Sequence, residues 1–169
     1  MTQKYRRSPA GKTFSLDKAL LWREELRKNN KNLVVTNGCF DILHRGHVEY
    51  LCQAAAMGDA LLVLVNSDSS VRRLKGPARP LNGEADRAFV LAGLESVDMT
   101  VIFSGERCTE MIRALRPDIY VKGGDYTIDT INQEEKQALV EAGTQIRFIS
   151  FVSGFSTTGT INKMNAEVS

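Results

Sequence analysis

The chain contains two histidines, and they stand three residues apart in His44-Arg45-Gly46-His47. Apolar residues then recur at Val48, Leu51, Cys52 and Ala55, the spacing of a helix face, and Gly58 stands where that helix should end. A short apolar run, Leu33-Val34-Val35, precedes them and gives way to polar, glycine-containing sequence, as a buried strand entering a loop requires. The pair therefore sits at a strand-to-helix turn, where unpaired backbone N–H groups and the positive end of the helix dipole favour anions. Gly46 allows close backbone approach to a phosphate, and each imidazole can donate one hydrogen bond whether or not it is charged. Phosphate is the natural guest. The same side chains could instead cap and pack, or hold a metal, although no third ligand is obvious.

The turn must be positioned by the rest of the chain. Ser15 can cap a helix with Leu16, Ala19, Leu20 and Leu26 inward. Helical spacing returns at Ala85, Ala88, Phe89 and Ala92, again at Cys108, Met111, Ile112 and Leu115 before Pro117, and in a helix ending near Gly143. Between them lie short apolar runs at Ala60–Val65, Met99–Phe103, Ile119–Val121 and Ile146–Ile149. Strands that are apolar throughout, alternating with amphipathic helices, predict an α/β fold: a single Rossmann-like domain with a five-stranded parallel sheet and helices on both faces. Residues 1–14 read as a flexible N-terminal arm and 15–169 as the domain. In such a sheet ligands bind beyond the carboxyl ends of the strands, near the switch in strand order. The polar strings follow that rule: Thr36 to Asp41, Asn66-Ser67-Asp68, Lys122 to Tyr126 and Ser153 to Gly159 each come after a strand. A Gly- and Pro-rich connection, Lys75 to Gly83, could move as a lid.

Composition excludes several classes. At 169 residues one compact unit is expected, and 43% apolar with 25% charged residues is ordinary for a globular protein. Twenty-two Lys and Arg against 20 Asp and Glu give +2, far from a dedicated nucleic-acid binder despite the basic arm at Lys4, Arg6, Arg7 and Lys12. No apolar stretch approaches the ~20 residues that cross a bilayer, and the first dozen residues lack a signal-peptide core, so a cytoplasmic protein with no membrane partner is expected. The three cysteines lack metal-type spacing. No histidine stands near a Ser or Cys elsewhere in a way that would build a hydrolase triad.

The stretch Asn37-Gly38-Cys39-Phe40-Asp41-Ile42-Leu43-His44-Arg45-Gly46-His47 resembles the GxFDxxHxGH signature of the nucleotidyltransferase superfamily. Asn66-Ser67-Asp68, Arg73 to Pro77, Arg79-Pro80, Val121 to Tyr126 and Ser156-Thr157-Thr158 are similar to the adenylyltransferase unit of bacterial ADP-heptose synthesis. The resemblance implies that AMP passes from ATP to D-glycero-β-D-manno-heptose 1-phosphate for the lipopolysaccharide inner core, with pyrophosphate released and no covalent enzyme intermediate. It implies His44, His47 and Lys75 as catalytic residues. Asn37, Gly38, Cys39, Phe40, Gly46, Lys122, Gly123, Ser156, Thr157 and Thr158 would then bind nucleotide. Asp41, Arg79, Asp125 and Tyr126 would meet the sugar phosphate, Asp41 otherwise tying its own loop together. Cys39 stands where relatives often carry Thr or Ser. Mg²⁺ is expected on the ATP phosphates, with no protein metal site. A homodimer is expected, with the upstream sugar kinase on a separate chain. A cytidylyltransferase for a small polyol phosphate, and a nucleotide-binding module without turnover, are the alternatives.

Overall fold

In the computed structural model, residues 8–124, 127, 129–150, 157, 159 and 161 are described. A 3₁₀ turn at Pro9–Lys12 leads into β1 (Thr13–Phe14), α1 (Leu16–Lys28), β2 (Leu33–Gly38), α2 (Arg45–Ala55) and β3 (Ala60–Asn66). There follow α3 (Asp68–Lys75), α4 (Glu84–Ala92), β4 (Met99–Phe103), α5 (Thr109–Leu115), β5 (Ile119–Gly123), α6 (Gln133–Ala142) and β6 (Gln145–Ile149). The strands form one parallel sheet in the order β1-β4-β3-β2-β5-β6.

The sheet has six strands rather than the five expected. The additional one is β1, two residues that pair with Thr100 and Val101 at the edge. A two-residue strand carries no alternation for a sequence pattern to detect, and its pairing comes wholly from β4.

Alternation along the strands divides the interior. Leu33, Val35, Leu62, Leu64 and Tyr120 face one layer, where α1, α5 and α6 contribute Ala19, Leu26, Ile112, Leu115, Ala138 and Leu139. Val34, Leu61, Val63, Val65 and Val121 face the other, against Leu51 and Ala54 of α2 and Ala88 and Leu91 of α4. Burial on both faces is why these strands read as continuous apolar runs. Local signals end the helices as expected: Ser15 accepts from Lys18 N at 3.5 Å, and Gly143 closes α6 at φ 72°.

One helix was not foreseen. The segment after β3 is helical from Asp68, capped by Ser67 accepting from Ser70 N at 3.2 Å. Its sequence, DSSVRRLK, offers few apolar positions, so periodicity could not reveal it.

The chain runs from β2 outward through β3 and β4, then returns to β5 and β6 on the other side of β2. The strand order reverses between β2 and β5, and the functional residues gather there. Among the described residues no helix is long and apolar enough to cross a membrane.

Candidate active site

A cavity of about 720 Å³ opens beyond the carboxyl ends of β2, β3 and β5. Asn37, Gly38, Cys39, Phe40, Asp41, His47, Lys75, Arg79, Lys122, Gly123 and Thr157 all line it. Elements far apart in sequence are thereby joined: Thr157 Oγ1 donates to the Ile42 carbonyl at 3.2 Å. His44 and Gly46 do not belong to the wall; His44 stands at the N-cap of α2 and Gly46 is buried in its first turn. Asp125, Tyr126, Ser156 and Thr158 lie outside the described residues.

The two imidazoles act as one unit. Their rings stack with centroids 3.8 Å apart at 20°, and the Phe40 ring meets His47 edge-on at 5.2 Å. Phe40 reaches that position through a left-handed backbone, φ 47°. It also needs Gly38, because a Cβ there would lie 2.7 Å from the Phe40 ring. The glycine and aromatic of the motif therefore support the histidine as well as facing the cavity. Burial first, and the neighbouring His44 second, push His47 down to about 4, while a backbone interaction with Ile42 opposes the shift without satisfying the buried Nδ1. Burial also lowers His44. The pair is thus held neutral, since two stacked cations would repel in a partly dehydrated site. A phosphate oxygen arriving here would give the His47 ring an acceptor.

Lys75 is the last residue of α3 rather than part of the following loop, and its exposed side chain faces the cavity. The lid after it is tied down by Asp41. This buried carboxylate accepts from Arg79 Nε at 2.5 Å, Leu81 N at 2.8 Å and Asn82 N at 2.9 Å. The Asp41 carbonyl also accepts from Asn82 Nδ2 at 2.6 Å. Burial alone would raise Asp41, but the Asn82 and Leu81 amides and the Arg79 guanidinium outweigh it and hold the carboxyl below its usual range. Asp41 thus fastens the lid to the turn, and Arg79 reaches the cavity wall with its charge partly offset.

The opposite wall comes from β5 and α6. Lys122 Nζ donates to Glu135 Oε2 at 3.1 Å and to Asn37 Oδ1 at 3.3 Å. Asn132 caps α6 by accepting from Glu134 N at 3.0 Å. Cys39 is half-buried; burial raises its thiol despite the nearby Lys75, Arg87 and Arg79, so it stays protonated and is a poor nucleophile.

Asn66, from one of the polar strings expected at the strand ends, lines the wall, and several other wall residues were not anticipated, among them Tyr50, Arg107 and Glu135. Tyr50 donates to the Val121 carbonyl at 3.0 Å and shares a 2.6 Å hydrogen bond with Thr36, binding β2 to β5 beneath the cavity. Arg87 was missed too. It is 2% exposed and donates to the carbonyls of Cys39, Asn66 and Asn82 and to Asp68, clamping the ends of β2 and β3 to the lid. Both Arg87 and Glu135 sit on the inward stripes of their helices, beside Ala88 and Leu91 and beside Ala138 and Leu139. A charge on an apolar stripe was the available signal.

Comparison with known proteins places the chain in a family. The family described as cytidylyltransferase-like matches residues 35–160, more than half of the chain. "Bifunctional protein HldE" of a Nitratiruptor species is 48% identical over 143 residues, covering 85% of this chain and 30% of that protein. Its counterpart of the same name in Methylococcus capsulatus is 52% identical over 133 residues, covering 79% of this chain and 28% of the relative. The chain thus spans under a third of the length of these relatives. Among solved structures, the lipopolysaccharide core biosynthesis protein from Thermoplasma volcanium superposes with a TM-score of 0.59 at 27% identity, over 72% of this chain and 97% of the other. The stacked imidazoles at the head of α2 lie inside the matched region, and the chain belongs to the cytidylyltransferase-like family of nucleotidyltransferases.

Proposed function

We propose that the chain transfers AMP from ATP to D-glycero-β-D-manno-heptose 1-phosphate, giving ADP-heptose and pyrophosphate for the lipopolysaccharide inner core. One observation carries the reading: a stacked His44–His47 pair opens, through His47, onto a cavity that also receives Lys75 and Arg79. The HldE relatives and the lipopolysaccharide core biosynthesis structure support the choice of sugar nucleotide.

The acceptor phosphate attacks the α-phosphorus of ATP in line, the P–O bond to the β-phosphate breaks, and pyrophosphate leaves with the electron pair. His47 donates to the α-phosphate as negative charge grows on its oxygens, with His44 stacked against it to hold the ring. Lys75 lies between the two reacting phosphates and offsets their repulsion, which would otherwise keep two anions apart. Arg79 grips the sugar phosphate, and Thr157 meets the terminal phosphates. Positioning and charge stabilisation suffice, because the attacking oxygen belongs to the substrate.

The wall suits magnesium carried by the triphosphate. Asp41 is taken up by Arg79 and the lid, Glu106 by Arg73 at 3.1 Å, and Glu135 by Lys122. Among the described residues no group of three His, Cys, Asp or Glu could cage the ion. Magnesium would then neutralise part of the triphosphate charge from the substrate side.

Measuring pyrophosphate release with ATP or CTP against a panel of sugar 1-phosphates and polyol phosphates tests the reading. Turnover with ATP and the heptose phosphate is expected. Activity only with CTP would replace it with cytidylyl transfer.

A further inference from the structure

Behind the β5 wall lies a polar cluster buried on the sheet's α5–α6 side. Tyr120 is fully buried, and its hydroxyl donates to Asn37 Oδ1 at 2.7 Å. With that proton committed, the phenol oxygen accepts from Lys122 Nζ at 3.4 Å. Lys122 also donates to Asn37 Oδ1 at 3.3 Å and to Glu135 Oε2 at 3.1 Å. The Cys108 thiol completes the cluster, 3.1 Å from the Tyr120 hydroxyl and 3.4 Å from Glu135 Oε1. Burying this many polar groups beneath a substrate cavity is costly unless each is paired, so the arrangement is highly specified.

Its consequence falls on Asn37. An ammonium can only donate, so the amide atom facing Lys122 must be the oxygen, and Tyr120 donates to the same atom. The side-chain orientation is thereby decided, and the NH₂ group is left for the cavity that Asn37 lines. Burial raises both the Tyr120 hydroxyl and the Cys108 thiol, which keeps them protonated across the working range and the donor pattern unchanged.

We propose that Asn37 is an obligate hydrogen-bond donor to the nucleoside triphosphate, and that Tyr120, Lys122 and Glu135 are positioning residues that act through it by holding its amide oxygen away from the ligand. The inference deepens the nucleotidyl-transfer reading and rests on it. It gives Lys122 a task other than direct contact with nucleotide. It also accounts for an acidic side chain, Glu135, beside a cavity built for anions: the carboxylate holds Lys122 in place.

A double-mutant cycle on ATP affinity tests this, using Tyr120→Phe, Asn37→Ala and the pair, each titrated calorimetrically with ATP and checked for native circular dichroism. Each single change should weaken binding about 10-fold, the worth of one hydrogen bond to a ligand, while the pair should fall within about 2-fold of Asn37→Ala alone. Losses that multiply to about 100-fold, or a Tyr120→Phe variant that binds like the wild type, would overturn the positioning role. Should Tyr120→Phe not fold, Lys122→Met replaces it in the same cycle with the same expectations. A wild type that binds ATP but transfers no nucleotide would sink the reading of function while the cycle still decides this inference. One that binds no nucleoside triphosphate would overturn both.

Discussion

His47 is held neutral by burial and by its neighbour, with its ionisation pushed down to about 4. The imidazole is thus a donor without charge through the neutral range, and kcat/KM should show no inflection near 6.5 that His47→Ala removes. Charge on the α-phosphate oxygens is greatest in the transition state, so His47→Ala should lower kcat about 100-fold while changing ATP affinity far less. Equal losses in kcat and in calorimetric affinity would mean a ground-state contact instead. The same shift has a stability sign. A histidine depressed in the folded state contributes stability that is full above its ordinary 6.5 and is lost as pH falls through about 4. The pairing of the two histidines was legible from spacing alone, whereas their stacking was not, because a three-residue separation fixes a turn and leaves the side-chain rotamers to the packing of Phe40.

At the scale of elements, the lid and the strand ends are one assembly. Asp41 fastens residues 79–82, and Arg87 on α4 ties Cys39, Asn66 and Asn82 together. Asp41→Asn keeps the size of the side chain but removes its charge from the buried pair with Arg79 and forces an NH₂ against backbone donors. It should cost about 3 kcal/mol and open the 76–83 segment to protease, read by chemical denaturation and by mapping the first cleavage site. A variant with wild-type stability and the same cleavage pattern would show that the lid is held elsewhere. The face expected for α4 from Ala85, Ala88, Phe89 and Ala92 is rotated in the structure, where Phe89 is exposed and Arg87, Ala88, Leu91 and Ala92 are buried, and Glu135 likewise turns inward on α6. Arg87 and Glu135 each occupy an inward position among apolar residues, where a charge must find a partner across the fold.

Across the whole molecule, the sheet is locked at the end opposite the cavity, where β2 and β5 begin. Arg23 of α1 is 3% exposed. It donates to Asp118 at 2.8 Å and to the Leu115 and Arg116 carbonyls at 3.3 and 2.9 Å, and Asp118 accepts from Leu33 N at 2.7 Å. Burial would raise Asp118, but Arg23 and the Leu33 amide prevail and lower it. Such a carboxylate contributes stability that is present above its ordinary value of 3.8 and lost as pH falls below it. Asp118→Asn should therefore be less stable at neutral pH yet lose less on acidification, as followed by urea midpoints from about pH 7 to about pH 3. An unchanged pH dependence would exclude the lock. α1, α5 and β2 are joined there, so the strands are held at their amino ends as well as by the Tyr50 and Asn37 contacts beneath the cavity.

Alternating apolar strands and amphipathic helices determined the doubly wound parallel sheet without any help from tertiary structure, because side chains buried on both faces of a sheet leave no polar alternation. The same arithmetic put the histidine turn at a strand's carboxyl end. Tertiary structure alone decided which distant groups meet there. Whether Lys122 faces phosphate or an amide oxygen, whether Asp41 holds substrate or lid, and whether Glu135 faces solvent or a lysine all depend on contacts between residues 13 to 85 positions apart. Local spacing constrains only neighbours along one element; the crossover from β4 back to β5 brings the rest together.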